Sequence, residues 1–215
     1  MSSERIISTP HGEGRLVTDR ARQTLATLLV SHGAGGGIES RDLEALARHL
    51  PRHGITVVRF EQPWRRAGRT IATPPATLDA GLRSAADNLR GRVPLIVGGR
   101  SAGARSAVRT AHLLGAVGCL AISFPLHPPG RPEKSRLDEL RGARLPTLVI
   151  QGERDAMGRP DEFPSSTELC VVPGADHGLK VAARADISQD EAMGIVVEAT
   201  LEWIVREVAG NASSR

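Results

Sequence analysis

The chain has 215 residues, of which 40% are hydrophobic and 24% charged, an ordinary balance for one globular domain with a sizeable core. The formal net charge of +4 comes from arginines scattered between acidic residues. No basic stripe is interleaved with aromatic side chains, so the composition disfavours nucleic-acid binding. No apolar run approaches the roughly 18 residues that cross a bilayer. Met1–Pro10 lacks a signal-peptide pattern, so we expect a cytoplasmic protein without a membrane partner.

Short apolar runs alternate with segments of helical period along most of the chain. The predicted strands are Arg5–Ser8, Leu25–Val30, Ile55–Phe60, Leu95–Gly98, Gly118–Ser123, Thr147–Gln151 and Glu168–Val172. The predicted helices are Ser40–Leu50, Thr77–Leu89, Ala102–Leu114 and Gln189–Val208. This alternation predicts an α/β fold, a mostly parallel sheet with helices on both faces. The carboxyl ends of the parallel strands then share one edge, where ligands bind in such sheets.

The domain organisation follows from the same pattern. No internal repeat or low-complexity linker divides the chain, so we expect a single domain over residues 1–215, with a disordered tail over 210–215. No segment after the fifth predicted strand is long enough for a large cap domain. Cys119 and Cys170 lie in apolar runs, which predicts buried, reduced thiols.

A glycine-rich loop follows the second predicted strand, with the sequence Ser-His-Gly-Ala-Gly-Gly-Gly over residues 31–37. A phosphate-binding interpretation fails, because no Gly-Lys-Ser/Thr follows and Ile38 stands where a dinucleotide fingerprint needs glycine. Glycine also lets a backbone N–H face an oxyanion without obstruction. We therefore predict cofactor-free chemistry, with the Ala34 amide as one oxyanion donor. His32 is expected to bond the loop backbone or, with Gly35, to line the substrate pocket.

A G-x-S-x-G motif lies at the end of the fourth predicted strand, as Gly99-Arg100-Ser101-Ala102-Gly103. In a nucleophile elbow, a strand turns sharply into a helix and exposes a serine hydroxyl in a strained conformation. The motif alone is weak, but an apolar strand precedes it and a helical pattern follows. Ser101 is therefore the predicted nucleophile, and the Ala102 amide the predicted second oxyanion donor.

An elbow serine needs a base, which an acid orients, and in this class of hydrolase the three follow in the order Ser, acid, His. His177 is the predicted base, because it lies in a loop after the last predicted strand. Asp155 follows the preceding strand and is the predicted acid, with Glu153 as the alternative. Asp176 adjoins His177 and is expected to cap the turn instead.

Further pocket candidates lie in loops at the same edge. They are His127, Trp64, Arg69 and Arg100. If the arginines, including Arg65 and Arg66, face the mouth, an anionic substrate is favoured; the alternative is that they are solvated or paired structurally. No metal site is predicted, because Pro51 and Gly54 end the helix near His49 and His53.

Seven short motifs together resemble the small dienelactone-hydrolase-like α/β-hydrolases, over about Leu28–Lys180. Within these, the chain is most similar to the group of testis-expressed and NSL-complex-subunit homologues with their bacterial relatives. The motifs are His32–Gly36, Arg59–Trp64 with Gly68–Arg69, Gly98–Ser101, Phe124–Gly130, Pro146–Thr147, Gly152–Asp155 and Asp176–Lys180. The resemblance implies the α/β-hydrolase fold and supports the triad positions. The chain departs from the pattern at Trp64 (Tyr expected), Ala102 (Met expected) and Ala104 (Gly expected).

These observations favour a serine hydrolase that cleaves a small carboxylic ester or thioester. The alternative is a scaffold of the same fold whose triad is vestigial and which binds a protein partner. An acyltransferase using the same acyl-enzyme is not separable by sequence, because the acceptor depends on pocket shape. The sequence does not indicate the acyl chain, the leaving group or the oligomeric state.

Overall fold

A computed structural model describes residues 2–89, 91 and 93–212, of which 208–212 are described by their backbone alone. An eight-stranded sheet forms its centre, in the order β1-β2-β4-β3-β5-β6-β7-β8. The strands are β1 (Ser2–Thr9), β2 (Gly12–Asp19), β3 (Ala26–Ser31), β4 (Ile55–Glu61), β5 (Leu95–Arg100), β6 (Gly118–Ile122), β7 (Thr147–Gly152) and β8 (Glu168–Val172). β3 to β8 are mutually parallel, whereas β1 and β2 form an antiparallel hairpin on the edge of β4.

Helices cover both faces of this sheet. They are α1 (Arg41–His49), α2 (Pro63–Arg66), α3 (Pro75–Asp87), α4 (Ala102–Thr110), α5 (Leu137–Arg141) and α6 (Gln189–Ala212). Alternate residues of one strand point to opposite faces, so neighbours enter different cores. Leu28 and Val30 pack with residues of α1 and α6, whereas Leu29 between them packs with residues of α3 and α4. The predicted mostly parallel sheet with helices on both faces is confirmed.

The predicted elements are all present, with ends displaced by up to three or four residues. β2 was missed, because Gly12–Asp19 carries glycines and charged residues where a central strand would be apolar. The short helices α2 and α5 were also missed. α6 runs to Ala212, so the backbone of 210–212 within the predicted disordered tail is helical. Residues 213–215 of that tail lie outside the described residues.

The connections at the carboxyl edge of the sheet are short. Between β6 and β7 lie only α5 and one turn of 3₁₀-helix, so no large cap covers this edge, as predicted. The described part of the chain has no helix both long and apolar enough to cross a bilayer. Cys119 is buried and Cys170 is half-buried, and neither forms a disulfide.

Candidate active site

A strained turn joins β5 to α4 at Ser101. Its φ of 53° and ψ of −112° lie in a region that residues with a side chain rarely adopt, at a cost of about 1–3 kcal/mol. Glycines make the close approach of strand and helix possible. A Cβ on Gly99 would lie 2.5 Å from the carbonyl carbon of Gly103, and a Cβ on Gly103 would lie 2.7 Å from the His32 carbonyl oxygen. The turn therefore holds the Ser101 side chain at the carboxyl edge of the sheet.

Two hydrogen bonds join the three residues that the sequence placed at separate strand ends. Ser101 Oγ lies 2.9 Å from His177 Nε2, and His177 Nδ1 lies 2.8 Å from Asp155 Oδ2. A carboxylate only accepts, so Nδ1 carries the proton and Nε2 accepts from the serine hydroxyl. This is the tautomer that a general base needs. The His177 side chain is 26% exposed, whereas that of Asp155 is wholly buried.

Asp155 is held by donors from the end of β7 and from the loop that follows it. Gln151 Nε2 donates to Oδ2 over 2.9 Å, and the Met157 amide donates to Oδ1 over 2.8 Å. Gln151 Nε2 also lies 2.8 Å from the Gly158 carbonyl oxygen, so one buried amide ties the carboxylate to the loop. Sequence reasoning missed Gln151, since a glutamine four residues before the acid carries no signal of its own.

The other two carboxylates near His177 accept hydrogen bonds from backbone amides. Glu153, the alternative acid, accepts a hydrogen bond from the Gly174 amide over 2.6 Å. Asp176 Oδ1 accepts from the amides of Gly178 and Lys180 and so caps the turn that carries His177. Asp155 is therefore the carboxylate of these three that the structure brings to the imidazole.

The two predicted oxyanion donors lie on the segments next to the serine. Ala102 begins α4, so its N–H has no intrahelical acceptor and stays available to a ligand. The loop after β3 runs against the nucleophile, since a Cβ on Gly33 would lie 3.1 Å from Ser101 Cβ. Ala34 follows in that loop and is half-buried, and Gly35 is exposed with open space beside it. Of the two predicted oxyanion donors, Ala102 thus begins the helix that follows Ser101, and Ala34 lies in the loop whose Gly33 packs against Ser101.

His32 and Trp64 lie beneath this loop and not at an open surface. The Gln62 amide donates to His32 Nε2 over 3.0 Å, so Nδ1–H donates to the Gly33 carbonyl oxygen over 2.8 Å. Burial lowers the pKa of His32. The Trp64 ring lies 5.4 Å from the imidazole, and both residues are buried. Their predicted place on the pocket wall is corrected: they support the glycine loop from inside.

His127 is also buried, between the loops that follow β6 and β7. Its Nδ1 lies 2.9 Å from the Pro128 carbonyl oxygen and its Nε2 lies 2.8 Å from Glu162. Both partners are acceptors, so only the imidazolium satisfies both. The hydrogen bond to Pro128 and, with it, the one to Glu162 raise the pKa of His127. The predicted pocket role is therefore replaced by a link between two loops.

The four arginines near the carboxyl edge divide into two sets. Arg66 pairs with Glu13, and Arg100 pairs with Asp42 and donates to the His177 carbonyl oxygen. Arg65 is half-buried and Arg69 is exposed, and neither has a carboxylate partner in the part of the chain that the structure describes. Anion binding at the mouth would therefore fall to Arg65 and Arg69. Among the described residues, no three His, Cys, Asp or Glu side chains are grouped to hold a metal ion.

The mostly parallel sheet, the elbow after β5 and the two carboxyl-edge loops define the chain's class, an α/β-hydrolase. The sequence model of the α/β-hydrolase domain matches residues 24–205, so the chain belongs to this family.

Solved structures of the same fold are similar over nearly the whole chain. A Xanthomonas campestris protein described as an α/β serine hydrolase without a lid is 23% identical, with a TM-score of 0.70 over 94% of each chain. Est1E from Butyrivibrio proteoclasticus is 15% identical, with a TM-score of 0.72 over 95% of this chain and 100% of Est1E. Dienelactone hydrolase from Anabaena variabilis is 20% identical, with a TM-score of 0.69 over 95% of this chain and 98% of that enzyme. At these identities the likeness concerns the fold.

Proposed function

We propose that this protein is a cofactor-free serine hydrolase that cleaves a small carboxylic ester or thioester through an acyl-enzyme on Ser101. The observation that carries the proposal is the continuous chain of hydrogen bonds from Ser101 Oγ through His177 to the buried Asp155. The strained backbone of Ser101, with φ 53° and ψ −112°, supports it further, because such strain is concentrated at functional sites.

The reaction begins when Ser101 Oγ attacks the substrate carbonyl carbon while His177 Nε2 takes the hydroxyl proton. The amides of Ala34 and Ala102 stabilise the resulting oxyanion, each donor contributing about 3 kcal/mol in related chemistry. The imidazolium then protonates the leaving alcohol or thiol as the tetrahedral intermediate collapses to the acyl-enzyme. Water, deprotonated by His177, attacks the acyl carbon and releases the acid and free Ser101. Asp155 stays ionised and stabilises the imidazolium throughout.

The open edge favours a small substrate with a good leaving group. No large cap encloses a long acyl chain, and an ester or thioester needs less help to expel its leaving group than an amide. Est1E, a structural neighbour, has been solved with ferulic acid bound, which supports a substrate derived from a small organic acid. An anionic ester is a finer variant of the proposal, carried by Arg65 and Arg69. The closer kinship with the testis-expressed and NSL-complex-subunit group rests on the sequence motifs alone, and the cytoplasmic location is a separate prediction from the sequence.

Steady-state hydrolysis of a p-nitrophenyl ester series and of matched thioesters tests the proposal. We expect turnover by the wild type and a loss of kcat of about 10⁴-fold or more in Ser101→Ala and in His177→Ala. Ser84→Ala is the control, because the Ser84 hydroxyl bonds only within α3. A folded wild type without turnover would favour the scaffold alternative. Turnover that survives Ser101→Ala would exclude the acyl-enzyme, and acyl transfer to added alcohols in preference to water would indicate an acyltransferase.

A further inference from the structure

We infer that Arg100, with Asp42 as its charge partner, is a positioning residue that holds the backbone of the base at the correct distance from the nucleophile. The inference deepens the proposed function and rests on it. It also replaces the predicted substrate-binding role of Arg100 with an internal one.

Arg100 joins the two parts of the site that must stay in register. It is the last residue of β5 and adjoins Ser101, so its backbone is fixed together with the nucleophile. Its Nη2 donates to the His177 carbonyl oxygen over 2.8 Å. A side chain from the nucleophile strand thus binds the main chain of the base directly.

The guanidinium is enclosed and does not present its charge at the mouth. The Arg100 side chain is 12% exposed. Its Nη1 lies 3.3 Å from where a Cβ on Gly33 would be, and its Nη2 lies 3.7 Å from where a Cβ on Gly178 would be. It therefore packs between the loop after β3 and the loop after β8, the loops that carry a predicted oxyanion donor and the base.

Asp42 is the charge partner of this guanidinium. The carboxylate lies on α1 and is wholly buried, with Oδ2 3.1 Å from Arg100 Nε. Within the described residues, neither of its oxygens accepts a hydrogen bond and Arg100 Nε donates none, so the contact is an ion pair alone. A buried pair of this kind adds little net stability over apolar residues of similar volume, because both charges lose their hydration. Its use here is geometric: the ion pair with Asp42 keeps the guanidinium beside α1, where Nη2 reaches the His177 carbonyl oxygen.

Among the described residues, the other hydrogen bonds of the His177 loop do not reach β5; the Arg154 amide ties the loop to the segment after β7 by donating to the Ala175 carbonyl oxygen over 2.8 Å. Asp176 shapes the turn from within through Gly178 and Lys180. The imidazole bonds fix the ring but not the main chain. Without Arg100 the loop can shift relative to β5, and a misplacement of about 1 Å costs on the order of 10²-fold in rate.

The test compares Arg100→Met, Asp42→Leu and the double variant, with Arg109→Met as the matched control. Arg109 lies on α4 and pairs with Asp79 and Glu139, so its loss removes a part-buried ion pair without touching His177. For each protein we measure kcat, KM, the melting temperature and the NMR signal of the His177 Nδ1 proton, which is deshielded by Asp155.

We expect Arg100→Met to lower kcat by about 30- to 100-fold with KM within about threefold, and to weaken or shift the Nδ1 signal. The double variant removes both charges, so it should recover melting temperature relative to either single variant while kcat stays low. Arg109→Met should lower the melting temperature and leave kcat per folded molecule near the wild-type value.

Three results would overturn the inference: a kcat of Arg100→Met within threefold of wild type, a kcat that recovers together with stability in the double variant, or a loss confined to KM. The last would place Arg100 in contact with substrate. The Nδ1 signal can be recorded without turnover, so it distinguishes failure of the proposed reaction from failure of the positioning role of Arg100. An inactive wild type whose Nδ1 signal still depends on Arg100 would refute the proposed reaction and keep the positioning role; an unchanged signal in Arg100→Met would refute the positioning role.

Discussion

The loops that carry Asp155 and His177 follow neighbouring strands but hold their side chains in opposite ways. Asp155 is wholly buried and accepts from His177, Gln151 and Met157. The His177 side chain is 26% exposed, and its backbone is held from the nucleophile strand by Arg100. Asp155 is thus fixed by the end of β7 and the loop that follows it, whereas His177 keeps access to water and its backbone accepts a hydrogen bond from β5. This difference suits the roles proposed for the two residues, because in the proposed reaction only His177 exchanges protons with substrate and water.

The substitution that we expect to lower kcat most is Asp155→Asn. The amide would present an N–H to His177 Nδ1 and favour the tautomer whose Nε2 cannot accept the serine proton. We expect kcat to fall by about 10⁴-fold with little change of fold. Asp176→Asn is the control, because an asparagine oxygen can still accept from Gly178 and Lys180. Equal losses of kcat in the two variants would show that activity depends on the turn that carries His177 and not on the Asp155 carboxylate.

Gln151→Met tests whether the buried donor at the end of β7 holds the Asp155 carboxylate in place. The variant removes the donor to Asp155 and leaves the Gly158 carbonyl unsatisfied, so we expect about 1–3 kcal/mol less stability and about tenfold lower kcat. Gln62→Met serves as the control. Gln62 is another buried glutamine, and its Nε2 donates to the Leu78 carbonyl oxygen away from Asp155. Urea denaturation and kinetics should show a stability loss in both but a loss of kcat only at Gln151.

Substitution of Arg65 and Arg69 tests whether the protein prefers an anionic substrate. Neutralising both to glutamine should raise KM for a carboxylate-bearing ester by a few-fold and leave a neutral ester unaffected, with the effect shrinking at high salt. Arg66→Gln is the control, because Arg66 already pairs with Glu13. Equal turnover of anionic and neutral esters by the wild type would contradict an anionic substrate.

The smallest predicted effect concerns the link between His127 and Glu162 beneath the Asp155 loop. The pKa of His127 is raised, so its contribution to stability is full below about pH 6.5 and is lost as pH rises through the raised value. Hydrogen bonding to the Arg159 amide, and the contact with His127, lower the pKa of Glu162, so its contribution is full above about pH 4.5 and is lost as pH falls through the lowered value.

The pair therefore stabilises most between about pH 4.5 and 6.5. The melting temperature of the wild type minus that of His127→Gln should shrink by a degree or two from pH 6 to pH 9. His112→Gln, at an exposed position, should show no such trend. A difference that is constant with pH would mean that His127 stays neutral when folded.

The sequence predicted most of the fold because its information is local. Apolar runs located β3 to β8, and the small residues around Ser101 located the elbow. The strand β2 was missed although it lies between β1 and β4, since glycines and charged residues interrupt the apolar pattern of a strand over Gly12–Asp19. The order of the residues along the chain and their positions after predicted strands were enough to predict Asp155 and His177 as partners of Ser101.

What the sequence could not supply are contacts that exist only after folding. Asp42, Arg100 and His177 are far apart in the chain, and nothing local marks them as one unit. His32 and His127 were placed on the pocket wall because they lie in loops at the active edge. Their burial depends on Gln62, Trp64 and Glu162, which pack against them from other segments.

Labelling with a fluorophosphonate probe tests the activated serine most directly, with the adduct located by peptide mass spectrometry. We predict one adduct per molecule on Ser101 in the wild type, and none in Ser101→Ala or His177→Ala proteins with unchanged circular dichroism. A well-folded wild type that stays unlabelled, or an adduct at another residue, would contradict Ser101 as a nucleophile activated by His177.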